Sequence, residues 1–211
     1  MTESTYESQN QLNSPTKPLL LVLSGPSGSG KDAVLARMKE LNHPLRYIVT
    51  LTTRPKRSNE RDNIDYHFIS RETFQKMVQD GNFLEWANVY NNLYGVPKQA
   101  VKESLDGGQD TLIKVDIQGA ATIRKLRPHA VLIFLLPPSM PELATRLKQR
   151  DTESAASLAL RLKTAEEEVK NMSLFDYVVI NRQNEIDQVV SEIWAIITTE
   201  KSRVIPKKVR L

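Results

Sequence analysis

The chain has 211 residues, 40% hydrophobic and 26% charged, with a formal net charge of +4. This balance suits one globular core and excludes wholesale disorder, and a length below about 250 residues gives no reason to divide the core in two. No cysteine is present, which removes disulfides, thiolate zinc sites and cysteine nucleophiles together.

Residues 1–17 are polar and carry no period, so they read as a mobile tail, and the globular unit is expected over 18–200. No basic stretch leads into a long apolar one near the start, and the reading is of a cytoplasmic protein with no membrane partner. Residues 19–23 form an uninterrupted apolar run that ends in Ser24 before Gly25, the signature of a strand buried on both faces of a parallel sheet. Val34, Leu35, Met38 and Leu41 then recur at helical spacing. The same alternation returns as strand 111–115 with helix 117–126, strand 131–136 with helix 140–148, and strand 177–180 with a helix over about 185–200. Strands alternating with helices predict an α/β fold with a parallel, doubly wound sheet.

Two stretches interrupt the alternation. Residues 51–100 are polar with short apolar fragments, and read as a small inserted module of a few strands with a helix near 71–78. Residues 149–170 are dense in charge and read as a mobile helical hairpin or lid. Residues 201–211 read as a solvated basic tail.

Gly25, Pro26, Ser27, Gly28, Ser29, Gly30 and Lys31 fit G-x-x-x-x-G-K and stand between an apolar strand and an amphipathic helix, which is the context of a P-loop. There the glycines let backbone N–H groups turn inward around a phosphate, the helix N-terminus adds positive potential, and the lysine reaches the outer phosphate oxygens. Asp32 follows where a Ser or Thr is usual. In the first helical turn its carboxylate is compatible with water-mediated contact to a metal, and it also crowds phosphate charge; its role stays open. In the insertion, Arg54 and Arg57 followed by Tyr66 supply two guanidinium forks and a phenol, the donors a phosphomonoester dianion needs. The modest positive charge suits such a site, and no nucleic-acid partner is expected. The three histidines show no ligand spacing.

Taken in order, GPSGSGK, TLTTRPKR, DYHF, FLEWA, YGVP and VDIQGA resemble the guanylate kinase family from about residue 19 to the final helix. The resemblance implies a P-loop NTPase core, a GMP-binding segment at about 50–100 and a lid at about 145–165. It also implies transfer of the γ-phosphoryl group of ATP to GMP, and to dGMP, with Mg²⁺ accompanying ATP. By the same resemblance Arg54, Arg57, Tyr66 and Tyr94 grip the GMP phosphate, Thr50 offers a hydroxyl, and Glu85 reads guanine, whose adjacent N1–H and 2-amino donors suit one ionised carboxylate. Asp116 corresponds to an acid near the acceptor nucleotide and metal, within reach through water as for Asp32. Lys31, Arg54 and the lid residues Arg146, Arg150 and Arg161 form the implied catalytic set, and Asn181 lies near adenine. Oligomeric state is left open.

Several positions depart from the family pattern. Val96 replaces a hydroxyl aimed at guanine, Lys114 replaces an acid two residues before Asp116, and Asp151 stands where glycine is frequent. Two alternatives are weighed: a kinase of the same fold acting on ribose 1,5-bisphosphate, for which Gly-Ser-Gly-Lys-Asp is also a fitting P-loop, and a non-catalytic binding module. Glu85 with the Arg54, Arg57, Tyr66 set favours GMP over the first, and the intact P-loop lysine disfavours the second.

Overall fold

The structure, a computed structural model, describes residues 17–58, 60–148, 155–205, 207 and 209. Strand β1 (Leu20–Ser24) is buried at every position, which explains an apolar run without alternation. Its odd and even residues feed two different cores. Leu19, Leu21 and Leu23 pack with Val34 and Met38 of helix α1 (Lys31–Glu40) and with Val189, Val190, Ile193 and Ile197 near the chain's C-terminus. Leu20 and Val22 pack on the opposite face with Val101, Leu105, Ala120 and Ile123. Helices therefore cover both faces of the sheet, the doubly wound arrangement expected.

After α1 come β2 (Arg46–Tyr47), β3 (Leu51–Thr52), β4 (His67–Phe68), α2 (Arg71–Gln79), β5 (Phe83–Val89), β6 (Asn92–Pro97) and α3 (Lys98–Asp106). The second half runs β7 (Thr111–Lys114), α4 (Ile117–Leu126), β8 (Val131–Leu136), α5 (Met140–Lys148), α6 (Ala155–Lys170), a 3₁₀ turn, β9 (Tyr177–Ile180) and α7 (Ile186–Lys201). The main sheet has the order β2-β7-β1-β8-β9 and every pairing in it is parallel. A smaller mixed sheet, β4-β3-β6-β5, carries the insertion. Its own core is formed by Leu51, Phe74 and Leu93.

The structure adds to the sequence expectation at α3 and β2, and differs from it at the C-terminal segment. Helix α3 and the two-residue β2 were not anticipated. The charged stretch supplies α6, which packs against α5 through Leu143, Leu147 and Ala165; residues 149–154, and with them Arg150 and Asp151, lie outside the described residues, as do 1–16 of the expected tail. The basic C-terminal segment is held down in part, with Lys207 Nζ 3.4 Å from Glu200 and 3.5 Å from Asp176, and with Val209 against the core. Among the described residues no helix is long and apolar enough to cross a membrane.

Candidate active site

The loop from Gly25 to Gly30 joins β1 to α1 at the C-terminal edge of the parallel sheet, where open α/β sheets place their ligands. Gly30 caps α1 with φ of 97°, and a Cβ there would come within 2.2 Å of Asn181 Nδ2. That amide donates to Ser29 O at 2.7 Å, so glycine is required both by conformation and by the clamp from the end of β9. Lys31 Nζ donates to Gly25 O at 2.6 Å and Pro26 O at 3.1 Å. Burial pushes Lys31 below the ordinary lysine range, with the Asp32 carboxylate opposing that shift.

Across the cleft, Arg54 follows β3 and forms a two-pronged pair with Glu60, at 2.7 Å and 3.0 Å, while its Nε donates to the Tyr94 hydroxyl at 3.3 Å. Burial works against the Arg54 charge, but Glu60 and Tyr94 outweigh it and hold the group above its ordinary range. The Arg57 backbone N–H also donates to Glu60, at 2.8 Å. Tyr66 stands edge-on to Tyr94, ring centroids 6.1 Å apart.

Glu85 projects from β5 beside the N-terminus of α4. It is 5% exposed, and its Oε2 has no hydrogen-bond partner. Desolvation, with repulsion from Asp116 added, pushes its pKa up to about 8. The close approach needs Gly119, where a Cβ would stand 2.6 Å from Glu85 Oε2. Asp116 caps α4 by accepting from Gly119 N at 2.9 Å, and burial raises its pKa. Val96, the register partner of Glu85, is fully buried.

Lys31, Asp32, Thr50, Arg54, Arg57, Tyr66, Glu85, Tyr94 and Asp116 all line one cleft, together with Gly25, Ser27, Gly28 and Gly30. Arg161 closes one side, its guanidinium 5.3 Å from the Tyr90 ring centroid on the β5–β6 turn. Arg146 is held elsewhere: it pairs with Glu142 and donates to Asn181 O at 2.7 Å and Ser29 O at 3.5 Å, behind the loop rather than among the lining residues. Pro26 and Ser29 likewise shape the loop without lining the cleft.

Sequence reasoning missed Glu60, Tyr90 and Glu168. Glu168 lines the cleft near Lys31, and burial raises its carboxyl while that lysine opposes. A signal was available, since Glu168 follows Arg161 by seven residues, two helical turns along one face of α6. For Glu60 no pattern existed: an acid in a polar stretch carries no period.

Residues 17–200 match the family model described as guanylate kinase. The chain belongs to the guanylate kinase family. A guanylate kinase from Caldanaerobacter subterraneus is 44% identical, with 88% of this chain and 89% of that one covered. The chloroplastic/mitochondrial guanylate kinase 2 of Oryza sativa is 42% identical, over 98% of this chain and 73% of its own. Among solved structures, guanylate kinase from Anaplasma phagocytophilum superposes with a TM-score of 0.73 at 31% identity, covering 90% of this chain and 89% of its own.

Proposed function

We propose that this cleft carries out the guanylate kinase reaction, transfer of the γ-phosphoryl group of ATP to GMP or dGMP to give ADP and GDP or dGDP, with the acceptor held by the β3–β6 segment. The observation that carries the reading is the meeting, in one cleft, of the P-loop lysine, two arginines with two tyrosines, and a buried carboxyl oxygen lacking a partner. ATP phosphates would draw Lys31 away from the loop carbonyls and restore its full charge, while the GMP phosphate would take the Arg54 fork, Arg57, Tyr66 and Tyr94. Glu85, once ionised, accepts N1–H and the 2-amino group of guanine, an edge adenine lacks.

A GMP phosphate oxygen then attacks the γ-phosphorus as the bond to the bridging oxygen of ADP breaks. The attacking oxygen is already anionic, so no general base is required, and positioning with cationic stabilisation supplies the rate. Lys31 and Arg161 supply cations from the loop and α6, Arg146 holds the loop from behind, and Arg150 is assigned to the lid with them. The hard oxygen donors Asp116 and Asp32 flank Lys31 and fit Mg²⁺ carried on ATP phosphates, which they would hold through water. That ion would neutralise phosphate charge.

The test is ADP formation from MgATP with GMP, AMP and ribose 1,5-bisphosphate offered separately, for the native chain and Lys31→Ala. Turnover with GMP, lost by orders of magnitude in a folded Lys31→Ala, is expected. Turnover with the bisphosphate alone, or a near-normal variant, overturns the reading.

A further inference from the structure

One lysine in the cleft has no part in the reaction above. Lys114 ends β7, and its Nζ lies 2.5 Å from Asp32 Oδ1 and 3.9 Å from the centroid of the Tyr66 ring. Its backbone carbonyl accepts from Thr50 Oγ1 at 3.3 Å. The side chain is only 11% exposed, whereas that of Asp32 is 58% exposed. The ion pair is therefore lopsided: a buried cation leans on an acid that stays in water, and burial opposes the Lys114 charge while Tyr66 and Asp32 together keep it above the ordinary lysine range. Lys31 is near enough for the two ammonium groups to oppose each other, and converging like charges are relieved when an anion enters between them. An ammonium has three donors; Asp32 takes one and the Tyr66 hydroxyl engages a second, which leaves one for a ligand. Lys114, Asp32 and Tyr66 all line the cleft that holds the acceptor-gripping arginines.

We propose that Lys114 is a further phosphate-contacting residue of the transfer site, directed at the acceptor phosphate beside Tyr66, and that Asp32 is the positioning residue that holds it there. The inference rests on the assignment of the acceptor segment to GMP. Asp32 belongs to the first turn of α1, which begins at the donor loop, and Tyr66 belongs to the acceptor module. The pair thus fastens the acceptor's phosphate grip to the donor's cradle across 82 residues of chain.

The experiment is calorimetric binding of GMP and of guanosine, without ATP, to the native chain, Lys114→Met, Asp32→Asn, the double variant and Arg54→Met, each checked for a native unfolding transition; Lys114→Gln substitutes if the Met variant does not fold. Lys114→Met should weaken GMP about tenfold or more, the loss of one hydrogen bond to a charged group, and leave guanosine unchanged. Asp32→Asn should move GMP in the same direction, and the double variant should be no weaker than Lys114→Met. GMP affinity unchanged in Lys114→Met while Arg54→Met loses it overturns the role of Lys114 alone. Unchanged GMP binding in both overturns the acceptor assignment as well. Equal loss for GMP and guanosine reduces Lys114 to a structural lysine, and multiplying losses in the double variant remove the link to Asp32.

Discussion

Glu85 combines an unpartnered carboxyl oxygen with a pKa pushed up to about 8 by burial, with Asp116 adding repulsion. Above its ordinary value of 4.5 and below about 8, the folded protein keeps a proton that the unfolded chain has lost. Stability then falls as pH rises through that window and stays at the lower level above it. Glutamine carries no such penalty, so Glu85→Gln should raise Tm by an amount that grows from pH 5 to 8 and then levels, at about 2–4 °C per kcal/mol in a chain this size. On the proposed reading guanine takes the ionised form, so native GMP affinity should rise with pH, approaching about tenfold per unit below pH 8, and the variant should lose both the affinity and the slope. Calorimetric titration and thermal melts across pH check both, and a pH-independent Tm difference would show that the carboxyl does not titrate as described.

Helix α2 is fastened to the small mixed sheet by Phe74, fully buried and stacked on Phe83 with centroids 4.5 Å apart. Phe74→Ala should cost about 3–5 kcal/mol of local packing. Because this small core is separate from those on the main sheet, KM for GMP should rise well before KM for ATP; steady-state kinetics with both substrates varied decides it, and equal changes would mean that the segment and the main sheet loosen together. The same division explains what the sequence revealed. Strands β1, β7 and β8 were legible because burial on both faces leaves nearly unbroken apolar runs, and the P-loop because its spacing is a backbone requirement. Helix α3 was not, since its nine residues follow Pro97 and bury only Val101, Ser104 and Leu105. Lys114 stood out in sequence as an oddity, but its partner lies 82 residues away, and no local pattern carries a contact of that range. Glu60 was hidden because its meaning lies in the Arg54 and Arg57 it holds.

For the molecule as a whole, the C-terminal segment closes around Glu200, which is 2% exposed and accepts from the Tyr177 hydroxyl at 2.6 Å. Lys207 at 3.4 Å and Arg203 at 3.7 Å complete its surroundings, and none of these residues lines the cleft. Truncation after Ser202 leaves a buried carboxylate without its two cations, a loss of about 1–3 kcal/mol, or several degrees of Tm in a chain of this size. Thermal melts should record that drop with kcat for GMP little changed, whereas an undiminished Tm would return this segment to the status of a solvated tail. Turnover is also a property of the whole, and the Arg54–Glu60 pair bears on it. On the proposed reading, GMP meets the Arg54 fork already occupied, because Glu60 takes both of its prongs in the free protein. Glu60 would then act as a tethered competitor for the fork, and its high effective concentration would set a lower limit to KM for the acceptor.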